Sequence, residues 1–251
     1  MKVFRIKHGE KVFYASLDGD HFRSLIAGRT EDNPIPLTEC LILPIVVPSK
    51  IVCVGLNYRE HAEELNMDME EDPMIFLKPS SAVIGNNDAI VLPSVSEQVD
   101  YEGELAVVIG QTIKNVAPDK VAPLIFGYTC ANDVTARDFQ RKDKLFTRAK
   151  GFDSFAPVGP CIKTDLNTAS LGIRTIVNGV VRQEGNTSDM IRTPAELISF
   201  ISHIMTLNPG DVVMTGTPKG IGTLNEGDTV EVEIEGIGKL SNKVIAESPV
   251  Q

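Results

Sequence analysis

Two glutamates separated by one glycine, Glu102-Gly103-Glu104, stand directly ahead of the apolar run Leu105-Ala106-Val107-Val108-Ile109. Side chains alternate along an extended chain, so this spacing predicts that both carboxylates leave the same face of a strand. Like charges that close raise one another's pKa unless a cation compensates, and a hard divalent ion with oxygen ligands is the usual compensation. Gly103 leaves room for close approach. Taken alone, a Glu-x-Glu pair more often solvates the start of a strand. A third carboxylate, Asp133, changes that balance, because it follows the mostly apolar run 126–132 and so falls at the end of a buried strand. The competing reading has Asp133 capping a turn over 132–137.

Basic residues crowd the same stretch: Arg137, Arg141 and Lys142 follow within nine residues of Asp133, interleaved with Asp138 and Gln140, and Lys150 lies just beyond. Beside metal ligands they could clamp a carboxylate substrate, whereas a charge run in isolation marks a solvated helix face. A second constellation pairs His61 with Glu64, three residues apart and therefore on one helical face. A carboxylate beside an imidazole fixes its tautomer and stabilises the imidazolium, as a general base requires. His8, His21 and His203 have no such setting. The segment 210–222 is a strand running into a glycine-rich loop without Walker spacing, and its amides and the Thr217 hydroxyl suit a carboxylate better than a phosphate.

These residues need elements to hold them. Apolar runs of strand length recur over 51–55, 74–77, 105–109, 175–177, 212–214 and 229–234, and two more, 2–6 and 11–15, flank the turn residues His8, Gly9 and Glu10. Helices are predicted over 58–65, 116–124 and 193–205. The last carries Thr193 as N-cap, Pro194 at the first helical position and Glu196 at capping-box spacing. In 229–234 charged and β-branched residues alternate, so Glu231, Glu233 and Glu235 form a solvated face. The pattern lacks the regular strand-helix alternation of a TIM barrel or Rossmann domain, and a strand-dominated α+β fold follows. Four prolines between Gly28 and Lys50 disfavour regular structure and mark a connector. The chain divides on this reading into a small β-rich N-terminal appendage with its connector, residues 1–46, and a catalytic domain, 47–251.

The 251 residues suffice for one substantial core, and 42% hydrophobic against 23% charged residues is ordinary globular composition. A net charge of -10 repels phosphate backbones and argues against nucleic acid as a partner, although a few cations at a pocket mouth can still attract a small anion. Four isolated cysteines form no zinc-type cluster and are expected buried and reduced. The start lacks a secretory apolar stretch and no later segment has transmembrane length, so the expected location is cytoplasmic, with no membrane partner.

In order along the chain, Gly55-x-Asn57-Tyr58-x-x-His61, Lys78-Pro79, Asp100-Tyr101-Glu102-x-Glu104-Leu105, Asn132-Asp133-x-x-x-Arg137-Asp138, Lys150-x-Phe152-Asp153 and Thr215-Gly216-Thr217-Pro218 resemble the fumarylacetoacetate hydrolase family from about residue 51 onward. The resemblance implies a mixed β-sandwich roll, a homodimer, and Mg2+, Mn2+ or Ca2+ held by Glu102, Glu104 and Asp133. It also implies a water-activating His61–Glu64 dyad, Lys150 near the metal, and Arg137, Gln140 and Thr217 in the substrate pocket. Lys78 matches a motif without an assigned role. Family members hydrolyse C–C bonds, decarboxylate or isomerise related 2-oxo acids. The expected reaction is metal-dependent C–C hydrolysis of an acylpyruvate, in which His61 activates water. Oxaloacetate decarboxylation and keto-enol tautomerisation or isomerisation of a 2-oxo diacid are the alternatives, and a non-enzymatic metal-binding protein is the reading from another class.

Overall fold

The computed structural model describes residues 1–26, 29–30, 33–66 and 71–248. Gly28, where the connector is predicted to begin, lies outside them. The architecture is strand-dominated, as the apolar runs require. Among the described residues one large sheet has at its centre the strand Gly103–Ile109, buried at every position. Its antiparallel neighbours are Ile125–Asn132 and Val212–Met214, and Ile51–Val54 runs parallel beyond the latter. Burial on both faces explains why Leu105 to Ile109 reads as a continuous apolar run rather than an alternating one.

The two faces of that strand meet different partners. Val107 and Ile109 pack with Leu197, Ile198 and Ile201 of the helix Pro194–Ile204. Leu105 packs against Ile173, Val232, Ile234 and Leu240 of a second, five-stranded sheet. Ala106 and Val108 face the interior of the roll, with Ile51, Val158 and Met214. Burying each such Leu, Ile or Val contributes about 1.5–3 kcal/mol. The helix starts where the sequence places it: the Thr193 hydroxyl accepts from the Glu196 amide at 3.3 Å and the Glu196 carboxylate accepts from the Thr193 amide at 2.7 Å.

The N-terminal strands extend the large sheet. Lys2–His8 pairs with Lys11–Asp18 across Gly9 and Glu10, and Lys2 and Val3 also pair with Lys163 and Ile162. Val3, Ile6 and Phe22 are fully buried in the same core clusters as the central strands. The proline-rich connector is less irregular than predicted, since Ile35–Pro36 and Leu41–Ile42 make short pairings onto that hairpin system.

One predicted helix is absent and two further helices are present. Residues 116–124 form two 3-10 turns, Pro118–Lys120 and Ala122–Leu124, because Pro118 and Pro123 each interrupt the donor ladder a longer helix needs. Conversely, two short helices, Arg137–Asp143 and Phe146–Lys150, occupy the stretch read only as a charge cluster. All four cysteines are free, with Cys53, Cys130 and Cys161 buried and Cys40 half-buried. Among the described residues no helix is long and apolar enough to cross a membrane.

One buried carboxylate is purely architectural in its contacts. Asp211, fully buried, accepts from the Ser49 amide and hydroxyl, the Lys50 amide and ammonium, and the Asn208 amide at 2.5–3.2 Å. It ties the entrance of strand Ile51–Val54 to the turn that opens its parallel partner.

Candidate metal centre and its cleft

Register brings the acidic residues together. Gly103 pairs with Asn132 across antiparallel strands, so Glu102 and Asp133 emerge side by side at the same end of the sheet. Backbone and side chain lock the junction: the Asp133 amide donates to the Glu102 carbonyl at 2.8 Å, and the Glu102 amide donates to Asn132 Oδ1 at 2.8 Å. Glu104 follows one residue beyond Gly103. A Cβ on Gly103 would lie 2.1 Å from Thr175 Oγ1, so glycine is what lets the second sheet close against the strand that carries both glutamates. Glu102, Glu104 and Asp133 are all buried, and each offers a carboxylate oxygen within 4.8 Å of the others'.

Three cations serve this cluster unevenly. Lys150 Nζ bridges Glu102 Oε2 at 2.8 Å and Asp133 Oδ2 at 2.7 Å. Lys78 Nζ takes the other Asp133 oxygen, at 2.5 Å from Oδ1, and lies 3.0 Å from the Val134 carbonyl. Arg137 donates to Asp100 Oδ2 at 2.9 Å, to Gln140 Oε1 at 2.8 Å and to Glu102 Oε1. Glu104 has no cationic partner among the described residues; its Oε2 accepts only from the Gly216 amide, at 2.7 Å.

Electrostatics follow from that arrangement. Burial opposes ionisation of Glu102, but Arg137, Lys150 and His61 outweigh it and hold its carboxyl well below the usual range. For Glu104, burial raises the pKa and the neighbouring Asp133 and Glu102 charges raise it further, well above the usual range. Burial likewise works against the Lys150 ammonium, yet Asp133 and Glu102 more than compensate and its pKa rises. Four carboxylates, counting Asp100, thus face three cations, and the deficit falls on Glu104. A set of three buried carboxylates with one uncompensated suits a hard divalent cation, and the cluster could hold one.

The cluster forms the floor of a cleft of about 420 Å³, counting its open mouth. Its lining is polar at His61, Arg137, Gln140, Lys150 and Thr217 and apolar at Leu56, Leu65, Met74, Phe76 and Phe146. His61 lies on the short helix Arg59–Glu64, and its Nδ1 is 2.9 Å from Glu64 Oε2. Glu64 Oε1 in turn accepts from the Gly220 amide at 3.0 Å. Asn57 Nδ2 donates to the Thr215 carbonyl at 2.7 Å, which fixes the strand-to-helix turn beneath this helix.

The site residues read from the sequence therefore all line one cleft or, for Glu64, its dyad. The glycine-rich loop differs from its expected use. Its Gly216 and Gly220 amides bind the protein's own Glu104 and Glu64 carboxylates, and the Thr217 hydroxyl donates to the Gly103 carbonyl at 2.8 Å. Of the basic run, Arg137 and Lys150 are buried toward the cluster, whereas Arg141 turns outward to Gln98. Sequence spacing gives no role to Lys78, Asp100 or Gln183. Gln183, fully buried, joins the Gly103 amide, Thr175 and Thr217 at 2.7–2.9 Å. Its pattern neighbours are exposed, so only the fold identifies it.

Comparison with known proteins agrees with this geometry. Residues 50–245 match the family described as Fumarylacetoacetate (FAA) hydrolase C-terminal. The structure is similar to that of a 5-carboxymethyl-2-hydroxymuconate delta-isomerase from Mycobacterium smegmatis, with TM-score 0.91, 43% identity and 99% of this chain matched to 100% of that one. A 2-hydroxyhepta-2,4-diene-1,7-dioate isomerase from Mycobacterium marinum gives TM-score 0.91 and 42% identity, over 99% of this chain and 100% of that one. The mitochondrial oxaloacetate tautomerase Fahd2a of Rattus norvegicus is 41% identical over 84% of this chain and 71% of its own length.

Proposed function

The chain belongs to the fumarylacetoacetate hydrolase family, and from that premise we propose that it is a metal-dependent enzyme that enolises a small anionic 2-oxo acid, interconverting keto and enol forms or isomerising the product. One observation carries the reading: a histidine oriented by a carboxylate opens onto the same cleft as the three clustered acids and Lys150. The relatives named as isomerases and as a tautomerase support this direction. A divalent cation held by Glu102, Glu104 and Asp133, Mg2+ or Mn2+ with Ca2+ as the alternative, supplies Lewis-acid stabilisation of the negative charge that enolisation develops on oxygen.

The residues divide the remaining work. His61, its ring fixed by Glu64, takes a proton from the carbon beside the oxo group and returns it to oxygen, or to a more distant carbon in an isomerisation. Lys150 presents positive charge to the substrate carboxylate in a water-poor setting. Arg137 fixes the Glu102 carboxylate, and Gln140, whose Oε1 accepts from Arg137, is assigned to donate its amide protons to the substrate. Thr217 shapes the opposite side of the floor. The net charge of -10 supports a partner set without nucleic acid. We place the enzyme in the cytoplasm, as a homodimer.

The His61–Glu64 contact also favours a second reading, hydrolysis of an acylpyruvate C–C bond. There His61 deprotonates a water that attacks the distal carbonyl, and pyruvate and a carboxylic acid leave. Oxaloacetate decarboxylation would draw on the same charge stabilisation without a base. The test is a panel of oxaloacetate, hydroxymuconate-type diacids and acylpyruvates, followed by ultraviolet absorbance and product analysis with Mg2+, Mn2+ or Ca2+ and after chelation. Enol–keto interconversion that chelation abolishes is the expected result. Full activity after chelation overturns the metal reading, and acid products without isomerisation transfer the assignment to hydrolysis.

A further inference from the structure

Lys150 is given to the substrate in the proposed function, yet in the structure its ammonium is already committed. It donates to Glu102 Oε2 at 2.8 Å and Asp133 Oδ2 at 2.7 Å, carboxylates from two of the three residues that would hold the cation. One charged group cannot share those oxygens with a dication at hydrogen-bond distance without strong repulsion. Lys150 bridges both carboxylates, whereas each of the other two cations holds only one of them. Lys78 grips Asp133 through the other oxygen, Oδ1, and the Val134 carbonyl, and Arg137 spreads over Asp100, Gln140 and Glu102 Oε1.

Lys150 also has a second contact that does not depend on the carboxylates. Its Nζ lies 5.0 Å from the centre of the Phe76 ring, within cation–π range, and Phe76 lines the same cleft. The Phe76 ring is itself braced edge-on by Phe146 at 5.1 Å. An ammonium released from Glu102 and Asp133 therefore keeps an attractive neighbour inside the cleft.

We propose that Lys150 and the divalent cation compete for Glu102 and Asp133, so that metal binding releases the Lys150 ammonium to the anionic substrate and imposes an order, metal first and substrate second. The inference rests on the metal reading given above and deepens it. Lys150 then couples the two ligands: it opposes the metal and favours the substrate. A residue that merely braces the fold would do neither.

Calorimetric titration of the full chain with Mn2+, and then of the Mn2+-loaded protein with oxalate as a probe for the carboxylate–carbonyl end of a 2-oxo acid, separates these roles. Lys150→Met keeps the length and apolar stem of the side chain. It is expected to bind Mn2+ about tenfold more tightly than wild type and, once loaded, oxalate about tenfold more weakly, the scale of an ordinary coupling between two ligands. Lys150→Arg, which keeps a cation, should restore both affinities toward wild type. Unchanged or weaker Mn2+ affinity in folded Lys150→Met, with folding checked by circular dichroism, overturns the competition. Failure of the metal reading itself has a different signature: Glu102→Gln and Asp133→Asn would then bind Mn2+ like wild type.

Discussion

Asp211 and Glu104 are both buried carboxylates on the same sheet, and they are served very differently. Asp211 collects five donors, one of them the Lys50 ammonium, and its contacts tie together two parallel strands. Glu104 collects one backbone amide and faces two further acids. Their pKa values move apart accordingly. Burial opposes the Asp211 charge, but Lys50, Ser49 and Asn208 outweigh it and the value falls, whereas burial and like charges push Glu104 up. A carboxylate satisfied from within the chain stabilises the fold, and one left in deficit is kept for something the chain does not itself contain.

The sharpest way to break that contrast is to remove charge from each pole. Glu102→Gln or Asp133→Asn should abolish activity and weaken Mn2+ binding while circular dichroism keeps its wild-type shape, at some cost in melting temperature because Lys150 and either Arg137 or Lys78 lose a charged acceptor. Unchanged calorimetric affinity in both would end their assignment as ligands. Next in size, His61→Ala should lower the enolisation rate, or hydrolysis where that is the reaction, by roughly two to four orders of magnitude, the scale of a lost general base. Any oxaloacetate decarboxylation should fall much less, and a wild-type enolisation rate in His61→Ala would remove the dyad from the mechanism.

At the other pole, Asp211→Ala strips five donors of their acceptor and should cost about 3–5 kcal/mol in denaturant unfolding, as breaking a buried ion pair does. Activity per folded molecule should hold; a matching loss of turnover at full folding would show that Asp211 is not architectural only. The two poles should also respond oppositely to pH. The depressed Asp211 pKa contributes stability above the ordinary aspartate value of about 3.9 that disappears as pH falls through the folded value. The raised Glu104 pKa contributes stability below the ordinary glutamate value of about 4.3 that is lost as pH climbs through the folded value. In chelator, Glu104→Gln should therefore raise the melting temperature at pH 7 by about 2–4 °C, the shift about 1 kcal/mol makes in a chain of this size, and should gain nothing near pH 4. An equal shift at both pH values would deny the charge deficit. Smallest of all, Lys219→Ala breaks only the exposed pair with Glu60 at 2.9 Å and should leave melting unchanged.

How far the sequence reveals this contrast depends on contact order. Local signals are legible: the capping box at Thr193 and Glu196, the helical spacing of His61 and Glu64, and the alternation over Thr229–Ile234 all reappear in the structure. The three clustered acids are legible because each adjoins an apolar run that announces a buried strand. Lys78 is not, since its partner Asp133 is 55 residues away and nothing in Phe76-Leu77-Lys78 announces a buried ammonium. Asp211 reads only as the start of the strand that runs into the glycine-rich loop, because its partners Ser49 and Lys50 lie more than 160 residues earlier. The segment Arg137–Asp143 hides its helix behind its charges: Arg137 and Phe139 are buried while Arg141 and Lys142 are exposed, a split that only the cluster opposite them can explain.

The polar and apolar linings of the cleft differ in what they are free to become. Thr217 hangs from Gln183, which also holds Thr175 and the Gly103 amide, so a change on that side propagates into the packing of one sheet against the other. The apolar lining, Leu56, Leu65, Met74, Phe76 and Phe146, belongs to loops, the ends of two short helices and an edge strand. Apolar swaps there are cheap where volume is kept. Inheritance of new substrates by this scaffold should therefore run through the apolar lining, with the chemistry of the clustered acids carried through unaltered.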